Sequence, residues 1–171
     1  MSWWKTALYD TCSLITLDKL LLERAALARH FSTSIMALEE SFTVDQLREE
    51  TAKRMRTRVT MCPLPTPAQL ASLLASPRLS KALAQVDRLV YATAVQGRLA
   101  VVTADTRLAK ALRAKKIRVG NTALILQELV FTKKLSETGC EKLLVGLASH
   151  KDYLLGTPTP CWADLRDYSF P

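Results

Sequence analysis

The sequence predicts an α/β protein in which helices cover both faces of a small central parallel sheet, giving three layers. Short β-prone segments alternate with segments that carry apolar residues at helical spacing, and strands that alternate with helices typically form parallel sheets. The length of 171 residues, with 49% apolar and 23% charged residues, fits one ordinary globular domain. We expect this domain to span residues 1–156 and an irregular tail to follow over residues 157–171.

Patterns in the first half of the chain predict a strand over residues 5–9 and then mostly helices. Ser13 is expected to cap the first helix, in which leucines recur at helical spacing to about residue 29. The further predicted elements are an extended stretch over residues 30–33, a helix from residue 34 to the basic stretch at 48–58, an extended segment over 58–62, and helices over 68–75 and 79–96.

The second half of the chain opens on a valine-rich run over residues 99–103. This run is too short for a helix and lies between Gly97 and Asp105, so we expect a buried strand. The elements predicted after it are a basic helix over residues 106–115, a strand over 117–119, a helix capped by Asn121 that extends to about residue 131, and a helix over 136–148.

Positive charge is concentrated in two segments of the chain. Positions 107–118 hold six basic residues and no acid, while positions 48–58 hold five basic and two acidic residues. Such stripes attract polyanions by releasing condensed counterions, although a charged run is often only a solvated helix face. RNA is therefore a candidate partner. The candidate RNA-binding residues are Arg107, Lys110, Arg113, Lys115 and Lys116.

Several classes of protein are not indicated by the sequence. No apolar run approaches the 18 residues of a membrane span, and no secretory segment is recognisable near the start, so we expect a cytoplasmic protein without membrane contact. The four cysteines are widely spaced and form no C-x-x-C pair, which argues against a disulfide framework or a zinc site. Five isolated glycines form no phosphate-binding loop, so a nucleotide cofactor is not expected.

Two of the predicted strands are followed closely by an aspartate. Asp10 follows the strand over residues 5–9, and Asp105 follows the strand over 99–103. In a parallel sheet both carboxylates lie at the same edge, and Asp87, which opens a helix, can be turned towards it. Clustered carboxylates repel one another, so the set favours a bound Mg²⁺ or Mn²⁺. The alternative is that Asp10 and Asp105 separately serve as helix N-caps.

Four segments, taken in order, resemble the signature of the PIN domain family, and in particular its small prokaryotic VapC-type ribonucleases. The segments are LYDTCSLI from Leu8, STSIMALEE from Ser32, DRLVYATA from Asp87 and VVTAD ending at Asp105. Their order and spacing carry the resemblance, which covers about residues 5–131. It implies an α/β/α fold and a divalent-metal-dependent ribonuclease that hydrolyses RNA phosphodiester bonds.

The resemblance also implies roles for individual residues. Asp10, Asp87 and Asp105 take the positions of the principal metal ligands, and Glu39 that of a further ligand or water-orienting base. These four acids are the candidate catalytic residues, with Mg²⁺ or Mn²⁺ as the cofactor. If the chain is the toxin of a toxin–antitoxin pair, a cognate antitoxin is its protein partner. The residues whose hydroxyls are expected to support the site are Thr11, Ser13 and Thr103.

Two departures from the family pattern leave alternatives open. Cys12 stands where the family usually has Asn or Ser, so either Ser13 substitutes for it or the metal is held less well. Glu39 and Glu40 are adjacent, and consecutive helical residues point about 100° apart, so only one can face the site. Glu39 is preferred because apolar residues flank it one turn before and one turn after. The alternative function is a PIN-fold RNA- or protein-binding module with little or no turnover.

Aromatic residues and a cysteine complete the set of candidate functional groups. Trp3 and Trp4 begin the first strand, where paired aromatics are usually buried or form a dimer contact, so a homodimer stays open. Trp162 in the tail is the best candidate for an exposed partner contact. Cys12 is expected to be an unreactive thiol, because neighbouring carboxylates raise its pKa.

Overall fold

The computed structural model describes residues 2–31, 35–43, 46–75, 79, 83–152, 154–156 and 160–171. These residues form an all-parallel, five-stranded sheet with the strand order β3-β2-β1-β4-β5. The strands are β1 (Leu8–Tyr9), β2 (Met36–Ala37), β3 (Thr60–Met61), β4 (Val101–Val102) and β5 (Val119–Gly120). The central strand is β1, because it pairs with β2 on one side and with β4 on the other.

Helices cover both faces of this sheet, which confirms the predicted three-layer α/β/α fold. Over the residues described, none of these helices has the length and apolar character that a bilayer span requires. Three 3₁₀ helices, Trp3–Thr6, Ala25–His30 and Glu39–Phe42, accompany them. The α-helices are α1 (Thr11–Glu23), α2 (Glu49–Arg56), α3 (Pro67–Leu73), α4 (Gln85–Gly97), α5 (Thr106–Ala114), α6 (Thr122–Phe131), α7 (Glu137–Ser149) and α8 (Trp162–Arg166).

Strands β1 and β4 are buried on both faces of the sheet. Tyr9 and Val102 belong to a hydrophobic cluster with α1, α6, α7 and α8, whereas Leu8 and Val101 pack with α4 and α5. All four side chains are fully buried. Adjacent residues of a strand point to opposite faces, and a strand covered on both faces has a continuous apolar sequence. The two core clusters therefore hold β1 and β4 between the helices on either face.

Polar caps determine where several helices begin. Asn121 accepts a hydrogen bond from the Leu124 N–H at 3.2 Å and caps α6, as predicted. The cap predicted for α1 is wrong, because Asp10 accepts from the Ser13 N–H and starts the helix at Thr11. A side-chain cap of this kind contributes about 1 kcal/mol.

The largest difference from the sequence prediction lies between α1 and α2. The described part of the segment predicted as the second helix forms β2 and the 3₁₀ helix Glu39–Phe42 instead, while residues 32–34 and 44–45 lie outside the described residues. A two-residue strand shows no periodicity of its own. Ile35, Leu38 and Phe42 are all buried, and their spacing of three and four residues imitates a helix.

Other boundaries differ by less. The first strand is confined to Leu8–Tyr9, because residues before it form the 3₁₀ helix Trp3–Thr6, and the first helix ends at Glu23 before a separate 3₁₀ helix. The helix predicted over residues 79–96 is α4, and much of residues 79–84 lies outside the described part of the chain. Of the extended stretch predicted over residues 30–33, His30 ends the 3₁₀ helix Ala25–His30, and residues 32–33 lie outside the described residues. The other predicted strands and helices are present within a few residues of their expected bounds.

The tail contains a packed helix rather than irregular chain throughout. Trp162 and Leu165 of α8 are 7% and 0% exposed. The Trp162 ring lies edge-on to Phe131 at 5.7 Å, and the Gln127 side chain donates to the Leu165 carbonyl at 3.0 Å. The prediction of Trp162 as an exposed partner contact is therefore wrong. Trp4 is fully buried in the same hydrophobic cluster as Trp162.

Candidate active site at the carboxyl end of the sheet

The strand order reverses beside β1, and this reversal creates a crevice at one edge of the sheet. Strands β2 and β3 continue on one side of β1, while β4 and β5 lie on the other. Ligands of open parallel sheets bind outside the carboxyl ends of the strands at such a point. Asp10 comes directly after β1 and Asp105 shortly after β4, so both acids lie at this crevice.

Asp10 is buried and fully hydrogen-bonded at the end of β1. Its side chain is 2% exposed, one carboxylate oxygen accepts from the Ser13 N–H at 2.7 Å, and the other accepts from the Thr103 hydroxyl. Burial raises the pKa of Asp10, hydrogen bonds from Thr103 and Ser13 oppose that shift, and the charge of Asp105 adds to it. Asp10 is thus the N-cap of α1 and, at the same time, a buried acid without a cationic partner among the described residues.

Asp105 is the N-cap of α5. Its Oδ1 accepts from the backbone N–H groups of Arg107 at 2.6 Å and Leu108 at 2.8 Å. Its own N–H donates to the Thr103 hydroxyl at 2.9 Å. Thr103 therefore joins the two strand-end acids, because it donates to Asp10 and accepts from Asp105. The capping and clustering interpretations of these aspartates both hold.

Asp87 completes the cluster from the first turn of α4. The pKa of its carboxyl is raised to about 6, chiefly by burial and further by the charges of Asp10 and Asp105. Asp87 lines the same pocket as Asp10 and Asp105, and like charges disfavour ionisation when they are close. Asp87 is therefore turned towards the strand ends, as predicted.

The three aspartates line one pocket of about 440 Å³. The pocket lies between the first turns of α1 and α4, with Glu40 and the residues after it on a further wall. None of the described residues that line it is Lys, Arg or His, and no ion pair between described residues involves these aspartates. The negative charge of the pocket is therefore uncompensated by this part of the chain.

Comparison with protein-family models, curated proteins and solved structures found no match to this chain. The resemblance to the PIN family therefore stays a prediction. A parallel sheet with helices on both faces supports many unrelated activities, so function has to be argued from the chemistry of the pocket.

The donor set of the pocket fits a hard divalent cation by its chemistry. Thr11 adds a hydroxyl that lines the same pocket and is buried without a hydrogen-bond partner among the described residues. Such an orphaned oxygen, next to three carboxylates, is the kind of ligand or water contact that Mg²⁺ and Mn²⁺ use. The residues present thus suit the ion that the sequence predicts.

The carboxylates do not, however, stand at ligand positions. No group of three or more His, Cys, Asp or Glu side chains in the described residues is arranged so that it could hold a metal ion. The hydrogen bonds explain why, because Asp10 is directed at Ser13 and Thr103, and one oxygen of Asp105 at the amides of α5. A cation therefore requires that carboxylates rotate, and Asp87, which is half-buried, has the most freedom to do so.

The structure corrects the choice between the two adjacent glutamates. Glu39 is exposed and contacts Arg56 of α2 at 2.6 and 2.9 Å, whereas Glu40 lines the pocket. The prediction that Glu39 faces the strand ends is wrong, because this segment is a 3₁₀ helix after a strand and not part of an α-helix. Glu40 therefore takes the place expected for Glu39, as an acid in the lining that also holds the three aspartates.

Ser13 contacts Asp10 directly, while its support of a bound metal stays a prediction. Ser13 is 2% exposed, and hydrogen bonds from both its backbone and its side chain lower the pKa of Asp10. Cys12 is an exposed residue that lines the pocket, and partial desolvation of its thiol together with the charges of the aspartates raises the pKa of that thiol to about 11. The thiol therefore stays protonated near neutral pH, as expected for an unreactive cysteine.

The predicted RNA-binding residues of the basic helix are all exposed, but they lie at different distances from the acids. Arg107 and Lys110 lie in the first half of α5, which Asp105 caps. Lys115 and Lys116 follow the end of this nine-residue helix, and at 1.5 Å per residue they lie about 14 Å along its axis. Arg107 and Lys110 are therefore the cations best placed to meet a phosphate beside the pocket.

Arg113 differs from the other cations because the end of the chain contacts it. Its guanidinium lies 5.0 Å from the Phe170 ring centroid and donates to the backbone carbonyls of Phe170, at 3.2 Å, and of Pro171. These contacts occupy part of its hydrogen-bonding capacity.

Sequence reasoning missed a second buried acid, Asp18 on α1. Its side chain accepts from Arg54 at 2.8 and 2.6 Å and from Thr51 at 3.0 Å, which joins α1 to α2. The available signal was a lone aspartate among leucines on an apolar helix. No motif indicated the remaining pocket residues. These are Ile15, Thr43, Gln46, Ala84, Gln85, Val86 and Leu89.

Proposed function

We propose that this protein is a divalent-metal-dependent ribonuclease that hydrolyses RNA phosphodiester bonds at the pocket of Asp10, Asp87 and Asp105. One observation carries the proposal. Three aspartates at the carboxyl end of a parallel sheet share a pocket that no described Lys, Arg or His lines. Carboxylates that share a pocket without a cation repel one another, and a divalent ion stabilises them. The resemblance to the PIN family supports the same chemistry.

In this proposal Asp10, Asp87 and Asp105 hold Mg²⁺ or Mn²⁺. When bound, the ion lowers the pKa of a coordinated water and neutralises charge at the phosphate under attack. The chain's own contribution is to hold these carboxylates at one edge of the sheet. Thr103 and Ser13 hold Asp10 there, the first amides of α5 hold one oxygen of Asp105, and carboxylates rotate when the ion binds. The uncompensated charge of the set disfavours metal-free ionisation and so favours cation uptake.

The polyanionic substrate is held outside the pocket in this proposal. A phosphate chain is repelled by the acids and attracted by Arg107 and Lys110, which lie on the helix that Asp105 caps. Contacts of this kind position a nucleic acid without reading its sequence. In this proposal the scissile phosphate therefore lies between the cations of α5 and the acidic pocket.

The test is a cleavage assay with labelled single-stranded RNAs in Mg²⁺, Mn²⁺ or EDTA. We expect cleavage with a divalent ion, none in EDTA, and a loss of at least about 100-fold in rate for Asp10→Asn and Asp105→Asn. Asp167→Asn is the matched control, because Asp167 is an exposed aspartate that pairs with Arg166 away from the pocket. Circular dichroism of each variant establishes that the fold is retained.

The same assay distinguishes the alternative function. RNA binding without cleavage under any ion, unchanged by Asp10→Asn, would favour a binding module that keeps the fold without turnover. The toxin assignment needs a further readout, since it concerns biology rather than chemistry. If the chain is a toxin, expression of the wild-type protein arrests growth and expression of Asp10→Asn does not.

A further inference from the structure

The three aspartates share the pocket with apolar side chains and side-chain amides. Ile15, Val86 and Leu89 give it apolar walls, and the amides of Gln46 and Gln85 supply groups that both donate and accept hydrogen bonds. Apolar walls with a few convergent polar groups are typical of sites for small organic ligands, and about 440 Å³ lies in the usual range of their volumes.

The lining of the pocket does not suit a phosphate. None of the described lining residues is a cation, and Glu40 adds a fourth carboxylate to the three aspartates. The cations that can hold phosphates lie on α5, outside the lining. Of the groups in an RNA strand, an unstacked base therefore suits this lining, because it is neutral, planar and largely apolar, while the phosphates of the same strand stay outside.

Glu40 gives the pocket a preference among bases. An ionised carboxylate only accepts hydrogen bonds, and a glutamate recognises cytosine through its exocyclic amino group. Uracil is the same size but carries a carbonyl oxygen at that position, which a carboxylate repels. Glu40 is available for this role because it lines the pocket and forms no ion pair among the described residues, whereas Glu39 pairs with Arg56 outside the pocket.

We propose that the pocket takes one unpaired base of a single-stranded RNA beside the scissile phosphate and selects bases with an exocyclic amino group over uracil through Glu40. This inference rests on the proposed function, since it concerns the substrate of the same site. It also requires a single strand, because a base inside a duplex cannot enter a pocket without being unpaired and extruded.

The first test is binding in EDTA, where no cleavage occurs. Fluorescence anisotropy compares labelled oligocytidine, labelled oligouridine and a hairpin that holds the same cytidines in base pairs. We expect oligocytidine to bind at least about tenfold more tightly than oligouridine or the hairpin. This ratio is the one expected for the gain of one hydrogen bond to a charged group. Glu40→Gln supplies an amide that can also donate, so we expect the ratio between the two oligonucleotides to fall below about threefold.

Glu39→Gln is the matched control, because it removes the neighbouring charge outside the pocket and should leave the cytidine-to-uridine ratio unchanged. A wild-type ratio near one, a ratio unaffected by Glu40→Gln, or no binding of either strand overturns the inference. A protein that shows the expected ratios but cleaves no RNA in Mg²⁺ or Mn²⁺ overturns the nuclease proposal alone. Cleavage without base preference overturns the base pocket alone.

Discussion

Asp10 and Asp18 are two buried aspartates at the start and in the middle of the same helix, and they are held in opposite ways. Their residues are 2% and 3% exposed. Asp18 meets the guanidinium of Arg54 and the hydroxyl of Thr51. Asp10 accepts only from neutral donors and shares its pocket with two other aspartates.

This difference separates a structural carboxylate from a candidate functional one. Removing a carboxylate from water costs free energy, which a paired cation offsets inside the protein. The cation for Asp18 belongs to the chain and fastens α1 to α2. No described residue provides one for Asp10, so a ligand from solution is the remaining source. The partner of a buried acid, and not its burial, indicates its role.

The largest predicted effect that tests this comparison is on the stability of the protein in the absence of metal. We expect Asp18→Asn to lower the free energy of unfolding by about 2 kcal/mol. This loss is smaller than that from breaking a fully buried ion pair, because the Arg54 side chain is 40% exposed. Asp10→Asn should lower it by less than about 0.5 kcal/mol, because it removes a repelling charge and keeps an acceptor for the cap. Urea unfolding in EDTA measures both.

A double variant controls the interpretation of that result. Asp18→Asn and Arg54→Ala together should cost less than the sum of the single changes, since each disrupts the same interaction. Equal losses for Asp10→Asn and Asp18→Asn would contradict the distinction between the two acids.

A second prediction uses pH to separate compensated from uncompensated acids. The folded-state pKa of Asp87 is raised from 3.8 to about 6, chiefly by burial and then by Asp10 and Asp105. Folding therefore favours the protonated carboxyl, so its contribution is fully present below the unfolded pKa and is lost as pH rises through about 6. We expect the metal-free wild type to lose stability between pH 4 and 7 relative to Asp87→Asn.

Urea unfolding of both proteins at several pH values measures this difference. Comparing the two proteins removes the contributions that other titrating groups far from Asp87 make to the pH dependence of stability. Asp164 is one such group, and because its pKa is lowered, its contribution to stability is lost as pH falls. A difference between the two proteins that stays constant across this pH range would show that folding does not raise the pKa of Asp87.

A third and smaller effect concerns cations that lie near the acids without touching them. If Lys110 meets a phosphate, Lys110→Ala should reduce the slope of log affinity against log salt by about 0.7, the value for one contact to a single strand. Lys142→Ala on α7 is the control, because that exposed lysine lines a different cavity. RNA binding in EDTA over a range of salt gives both slopes.

An unchanged slope for Lys110→Ala would mean that α5 is only a solvated face. The triple change of Arg107, Lys110 and Arg113 to Ala extends the test. We expect most of its effect to come from the first two, because Arg113 contacts Phe170 and Pro171.

The parts of the site that sequence could predict are those governed by local rules. Strands β1 and β4 are apolar runs that end near Asp10 and Asp105, and parallel pairing alone brings these acids together. The cap at Asn121 depends on residues within one turn. These features need no knowledge of distant contacts, so they were predictable.

The parts that could not be predicted depend on packing between distant segments. A strand as short as Met36–Ala37 has no period, and only pairing with β1 and β3 defines it. Trp162 is buried because α8 packs against α6 and α7, and nothing within the tail indicates this. The hydrogen-bonded ion pair between Asp18 and Arg54 likewise joins two helices, α1 and α2, that are far apart in sequence.

The smallest predicted effect is at Glu39, the acid that local rules misplaced. Glu39 and Arg56 are 60% and 42% exposed at their side chains, and exposed ion pairs contribute at most about 1 kcal/mol. We expect Glu39→Gln to change the free energy of unfolding by less than about 0.5 kcal/mol and cleavage by less than about threefold. Arg56→Ala should cost more, because the guanidinium also lies 4.9 Å from the centroid of the Phe42 ring. Urea unfolding and the cleavage assay measure these effects, and a tenfold loss of activity in Glu39→Gln would return this glutamate to the site.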